Sequence, residues 1–303
     1  MIYEISHTTT YEYHDTVSLS HHSLRLSPRE FPRQKSLEAT LKIAPDPNTI
    51  ESRVDYFGNQ MTFVTVEGTH RRLVVTSSSK IEVKEPVVPL PAETLAWEEV
   101  RGFFRKLAQG STELEDNDLE AGEFVYPSSH IPLLPQFADY AAPSFPPGRP
   151  VFEAVLDLTD RIFKEFKFDP KATTVATPLE EVMRCKRGVC QDFAHLEIAC
   201  LRSMGIPARY VSGYLETDPP PGKPRLAGAD ASHAWLAFYC PGTGWIDLDP
   251  TNNLVPSTRH ITVAWGRDYG DVSPIRGVIL GSGDHSLKVE VDVIPMQEPR
   301  FNF

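Results

Sequence analysis

The chain reads as an α+β protein in which an all-β, sandwich-like N-terminal domain precedes a mixed domain of helices and antiparallel strands, and three observations predict this. Residues 1–88 carry short, often alternating apolar segments divided by turn formers. A proline-dense stretch, EPVVPLPAET at 85–94, then interrupts the pattern. From Val151 the apolar spacing becomes helical, and from Ala208 it drops to a period of two.

A chain of 303 residues suits two cores better than one. With 41% hydrophobic and 23% charged residues it has the composition of a folded protein, which excludes wholesale disorder. The net charge of −11 disfavours nucleic acid and anionic membrane surfaces as partners. The opening MIYEISHTTTYEYHDT lacks a basic region followed by an apolar stretch. No segment approaches the ~18 apolar residues that span a bilayer, so a cytoplasmic location is expected. The four cysteines, Cys185, Cys190, Cys200 and Cys240, lack the paired C-x2-C spacing of structural zinc sites. Reduced thiols are expected, with no metal and no cofactor.

In the first domain, Tyr3 and Ile5, Leu24 and Leu26, Leu41 and Ile43, Val64 and Val66, Leu73 to Val75, and Ile81 and Val83 mark successive strands. Pro28, Pro32, the APDPN run at 44–48, the Phe57-Gly58-Asn59 corner and Gly68 separate them. Residues 89–150 read as a proline-rich helical linker. Val100, Phe103, Phe104 and Leu107 give one helix over 95–107, and the irregular stretch from Gly110 to Pro150 is expected to wrap a neighbouring surface. Residues 151–303 form the second domain. Its first helix carries Phe152, Val155, Leu158, Ile162, Phe163 and Phe166 on one side and stops at Asp169-Pro170. Thr177-Pro178-Leu179-Glu180 reads as a capping box for a short helix ending near Arg184. A further helix runs from Cys190 to Met204, with Gly205 as its stop. ARYVSGYLE (208–216), HAWLAFYC (233–240), GWIDLD (244–249) and the tail segment SLKVEVDVIP are strands.

Cys190 opens its helix, where the partial positive charge of the N-terminus stabilises a thiolate, and Gly188 permits a close backbone approach just before it. Position alone leaves Cys190 open between an activated nucleophile and a small buried hydrophobe. His195 lies five residues on, ~140° around the helix axis, and reads as a packing residue. His233 differs, because it begins an otherwise apolar strand that has no use for an imidazole unless its ring nitrogens act. Trp235, two residues on, shares its strand face and would shield an ion pair there. A base needs an orienting group; Asp247 and Asp249 share one face of the next strand, so periodicity does not choose between them. Asp192 either lines the cleft or suits the helix dipole, and Tyr210 either shapes an acyl pocket or packs. Arg267, Asp268 and Asp271 in the tail reach the site or form an ion pair of their own.

The order RGVCQDFAHL, SHAWLAFY, GWIDLDPT resembles the transglutaminase core of the papain-like cysteine proteinase superfamily. GIPARYVSGY at 205–214 is similar to bacterial members, as are DYFGN at 55–59 and WGRDYGDVSPIRG at 265–277, so the resemblance spans nearly the whole chain. It implies a papain-like fold in which the cysteine helix packs on an antiparallel sheet. It also implies Cys190 as nucleophile, His233 as base and Asp249 as orienter. The activity implied is thiol-dependent acyl transfer or hydrolysis on protein or peptide amides through a thioester. Asp192, Trp235 and Tyr210 are the accompanying expectations for substrate contact. The sequence departs from animal transglutaminases in placing Gln191, not tryptophan, after the cysteine, and it has no recognisable acidic calcium loop. The competing class is a catalytically inactive module that binds peptides or proteins through the same cleft. Oligomeric state is not legible.

Overall fold

The computed structural model describes residues 1–110, 116–218, 232–281 and 283–296. In chain order, four strands come first: β1 (Ile2–Leu24), β2 (Gln34–Ala44), β3 (Thr49–Val54) and β4 (Gln60–Val83). Helices α1 (Trp97–Ala108), α2 (Asp116–Gly122), α3 (Pro135–Ala141) and α4 (Val151–Glu165) follow. The short strands β5 (Lys167–Phe168) and β6 (Arg187–Gly188) bracket α5 (Leu179–Cys185), and α6 (Cys190–Ser203) comes next. Strands β7 (Ala208–Leu215), β8 (Ser232–Cys240), β9 (Gly244–Leu248) and β10 (His260–Gly266) precede the short α7 (Tyr269–Val272). Strands β11 (Ile275–Leu280) and β12 (His285–Met296) complete the described chain.

Strands β1 and β4 are long because alternation persists through them, and they pair antiparallel with register shifts between Glu12 and Val17 and between Val17 and Leu19. Both halves of β4, through Val64 and Val66 and through Leu73 and Val75, pack with Tyr13, Leu24 and Ile43 into one core, which gives the sandwich-like body. The tail strands belong to this body by pairing. Drawn from sequence with the domain 151–303, β11 pairs with the second half of β1 and β12 with its first half, Ile2 opposite Met296 through Tyr13 opposite His285. Alternation identifies a strand but carries no information about its partner.

The second sheet has the order β10-β7-β8-β9, all antiparallel. Helix α6 packs on β7 and β8, with α3, α4 and α5 around it, so every residue from Asp192 to Arg202 is buried. A helix wrapped on all sides loses its amphipathic stripe. Ile131 and Phe137, in the stretch drawn as a linker, are fully buried in the same core as α6. Three local expectations are corrected. Phe163, counted with the apolar side of α4, is 46% exposed. Thr177 does not cap α5, since its hydroxyl accepts from Thr174 N while Pro178 holds the cap position. Helix α1 starts at Trp97, and Leu95 before it is exposed.

The two bodies are joined through the edge of β10. Gln34 donates its Nε2 to Thr262 O at 2.7 Å and accepts from Thr262 N at 2.8 Å. Asn59 donates to Trp265 O at 2.8 Å and accepts from Trp265 N at 3.0 Å. Two side-chain amides thus mimic a neighbouring strand and close an edge that would otherwise leave backbone groups unpaired. Asn59 is set in place by the turn before it, in which Gly58 has φ +76° and Asp55 accepts from Phe57 N and Asn59 N. The DYFGN and WGRDYG motifs are therefore two sides of one joint.

Candidate active site

The N-terminus of α6 is built by a carboxylate, though not in the way a capping hydroxyl would build it. Val189 is extended at φ −117°, and Asp192 Oδ2 accepts from Val189 N at 2.8 Å and from Thr173 Oγ1 at 2.6 Å. A Cβ on Gly188 would lie 2.6 Å from Asp192 Oδ2, so glycine there makes room for this cap. Cys190, partly exposed, is the first helical residue beyond it. Its sulfur sits at the positive end of the helix beside the unpaired N–H groups of the first turn.

His233 enters from the start of β8 and is within hydrogen-bonding reach of Cys190. Its Nε2 lies 2.7 Å from Asp249 Oδ2, which leaves Nδ1 for the sulfur. Burial pulls the imidazole down, but its hydrogen bonds to Asp249 and Cys190 and their charges outweigh this and raise it to about 10. Asp249 is fully buried at the end of β9 and has five donors. Oδ1 accepts from Thr251 N at 3.0 Å and Asn252 N at 3.2 Å. Oδ2 accepts from His233, from Asn252 Nδ2 at 2.7 Å and from His260 Nε2 at 3.1 Å. Burial opposes its charge, yet the His233 and His260 hydrogen bonds hold it well below the usual carboxylate range. Asp247, which periodicity could not separate from Asp249, instead takes Arg33 at 3.3 Å.

The three residues expected to touch substrate have little surface to offer. Asp192, Trp235 and Tyr210 are 4%, 0% and 2% exposed. Asp192 caps α6, and Trp235 lies edge-on to His260 with ring centroids 5.2 Å apart, under the His233 ring. Tyr210 packs 4.8 Å from His195. His195 itself stacks on His130 and accepts from Tyr269 N at 3.1 Å, which docks the tail onto α6. Burial drives it down to about 3, so it is a neutral acceptor. Arg267 pairs with Asp271 at 2.9 Å, while Asp268 accepts from His130 N and Gly270 N.

His260 and Asn252 escaped the sequence reading. The signal for His260 was present, since it opens the apolar HITVAW strand just as His233 opens HAWLAFY. Buried at 1% exposure, it is pulled down by desolvation against the opposing pull of Asp249. His233, Asp249 and His260 could each offer a ligand atom to a metal, these atoms lying within 4.8 Å of one another. As arranged, Asp249 Oδ2 already takes protons from both rings. The set is a hydrogen-bonded carboxylate that can orient one imidazole against one thiol.

Residues 3–82 match the bacterial transglutaminase-like N-terminal region, and residues 139–250 match the transglutaminase-like superfamily. An uncharacterized protein of Mycobacterium tuberculosis is 40% identical over 305 positions, covering 97% of this chain and 93% of its own length. A protein-glutamine gamma-glutamyltransferase of Pseudomonas aeruginosa is 30% identical over 107 residues, 33% of this chain and 16% of that protein. Among solved structures, a candidate cysteine protease from Cytophaga hutchinsonii superposes with a TM-score of 0.72 at 21% identity, covering 100% of this chain and 94% of that one. At that identity the likeness is one of fold. Among the described residues no helix is long and apolar enough to cross a membrane.

Proposed function

Since this chain belongs to the bacterial transglutaminase-like family, we propose that it is a thiol-dependent enzyme acting on protein or peptide amides, with Cys190 as nucleophile, His233 as acid–base and Asp249 as orienter. The observation that carries this reading is the His233 imidazole, hydrogen-bonded to the buried Asp249 carboxylate and set close enough to Cys190, at a helix N-terminus, for the sulfur to help raise it. Charge is arranged there in the sense a nucleophile needs. A carboxylate held ionised by five donors stabilises an imidazolium, and the imidazolium stabilises a thiolate beside it.

In the reaction proposed, the Cys190 sulfur attacks the amide carbon and the carbonyl oxygen takes up the negative charge. The Cys190 backbone N–H, one of the free donors opening α6, is one group suited to receive that oxygen. His233 passes its proton to the departing ammonia or amine as the C–N bond breaks, which leaves a thioester. Water or an amine then attacks the thioester, with His233 accepting its proton, to give hydrolysis or transfer. Trp235 and His260 close the inner side of the imidazole, where water would otherwise weaken its pairing with Asp249. The similarity to a protein-glutamine gamma-glutamyltransferase favours a glutamine carboxamide as one amide to try first.

The test is a panel of glutamine-containing peptides incubated with and without added amine, reading ammonia release, amine incorporation and new peptide termini together. Wild-type protein is expected to give at least one of these products. Cys190→Ala is expected to give none while keeping the wild-type thermal midpoint. Turnover retained by a folded Cys190→Ala protein would overturn the assignment.

A further inference from the structure

Alternate residues of the second sheet turn away from α6. Val211, Trp235 and Ala237 form a separate small cluster with Trp245 and Trp265. Arg209 enters this layer. Its guanidinium carbon lies 4.1 Å from the Trp245 ring centroid and 3.7 Å from that of Trp265, whose opposite face carries Arg29 at 3.6 Å.

Arg209 is 8% exposed, and among the described residues no hydrogen bond or ion pair reaches its guanidinium; its Nε is sealed without a partner. Arg202 offers the contrast among the buried arginines of the described residues. Arg202, 2% exposed, donates to Ala208 O, Tyr126 O, Arg267 O and Ser128 Oγ. A sealed Nε–H with no acceptor is costly, and the remaining donors of the planar fork suit a carboxylate bound through two oxygens. Desolvation lowers Arg209 to about 9, against the opposing pull of Asp247.

Arg209 lines a cleft of about 680 Å³ together with Trp245, Trp265, Tyr239 and Val87. Glu85, Glu120 and Asp247 also line it, but Asp247 is held by Arg33 and neither glutamate pairs with Arg209. One wall is the outer edge of β9, from Gly244 to Asp247. Asp249 N and O face outward to Leu254. By strand alternation the N–H and C=O of Trp245 and Asp247 face outward too, and among the described residues these have no backbone partner. The other edge of this sheet is closed by Gln34 and Asn59; this one is open beside an unsatisfied cation.

We propose that this cleft binds an extended acidic peptide segment, which adds as a strand to the edge of β9, places one carboxylate on Arg209 and lays apolar neighbours over Trp245 and Val87. Strand addition supplies backbone hydrogen bonds, and the carboxylate supplies selectivity. The site does not involve Cys190, and its failure would leave the proposed chemistry untouched.

The test uses the full chain carrying Cys190→Ala, so that no probe is turned over. The probes are the blocked peptide acetyl-Thr-Val-Glu-Val-Thr-amide, its glutamine counterpart, the glutamate peptide with alternate backbone amides N-methylated, and acetate alone. Binding is followed by tryptophan emission and by amide and indole N–H shifts. The glutamate peptide is expected to saturate and to move the Trp245 and Trp265 indole signals and the Asp247 amide. The glutamine and N-methylated peptides are expected to bind at least tenfold more weakly, and acetate to leave the Asp247 amide in place. Added Arg209→Gln should remove the preference for glutamate over glutamine; should that variant not fold, the peptide arms decide alone. Equal affinity for the glutamate and glutamine peptides, shifts confined to other parts of the protein, or the full set of shifts from acetate alone would each overturn the proposal.

Discussion

Asp249→Asn probes the proposed chemistry at its most constrained atom. Oδ2 accepts three side-chain donors and Oδ1 two backbone donors, at distances from 2.7 to 3.2 Å. An asparagine has one acceptor oxygen. If it faces the backbone pair, its NH2 meets His233, His260 and Asn252; if it faces them, its NH2 meets two N–H groups. Either way donors meet donors in a fully buried site. Losing a charge-assisted hydrogen bond costs ~1.5–3 kcal/mol and stranding a buried donor ~1–3 kcal/mol. Together these make about 3–6 kcal/mol, much of it taken from the imidazolium form of His233. The readout is the rate of Cys190 alkylation by iodoacetamide at pH 6, site-resolved by mass spectrometry, with exposed Cys185 as internal reference. At that pH an ordinary thiol is only ~0.3% ionised, and a neighbouring imidazolium favours the reactive thiolate form. A loss of ~3 kcal/mol from the imidazolium corresponds to roughly 100-fold in rate, and the weaker intrinsic nucleophilicity of an ion-paired thiolate trims this, so wild-type Cys190 is expected to react at least about tenfold faster than in Asp249→Asn. Equal Cys190 rates in the two folded proteins, or a wild-type Cys190 no faster than Cys185, would refute the reasoning.

Further outcomes follow from other parts of the structure. Gly188→Ala drives a methyl group into Asp192 and displaces it from Val189 N; a loss of ~1–3 kcal/mol is expected in urea unfolding. Asn59→Ala removes both bonds to Trp265 and the acceptor of Arg29, and unfolding free energy should fall by ~2–4 kcal/mol. Glu197, fully buried with Thr159 as its hydrogen-bond donor at 2.7 Å, is raised by burial from 4.5 to about 8. The folded state therefore holds a proton there that the unfolded state releases, so this group makes stability fall as pH rises from 4.5 to about 8. Glu197→Gln abolishes that slope. The stability of the variant relative to wild type should rise by a few kcal/mol between pH 5 and pH 8.5 in urea titrations, and a constant difference would show that Glu197 is already ionised.

Much of this protein was written in local pattern. Alternation located most strands, though not β3, β10 or β11; helical spacing located α1 and α4, the Gly205 stop bounded α6, and an imidazole at the head of an apolar strand singled out His233. These signals are local because periodicity and helix-end chemistry act over a few residues. The order of three short motifs carried the family, and with it the choice of Asp249 over Asp247, which periodicity alone had left open.

Tertiary structure decided what depends on partners far apart in the chain. It gave the tail strands to the N-terminal sheet, buried the 110–150 stretch against α6, and turned Asp192, Trp235 and Tyr210 inward as supports for the site. It brought His260 and Asn252 to Asp249, and it left Arg209 between two indoles beside an open edge. Each of these outcomes concerns which polar group meets which across long sequence separations. A pattern of apolar spacing records that a residue is buried, but the hydrogen-bond partner that makes burial tolerable comes from another part of the chain.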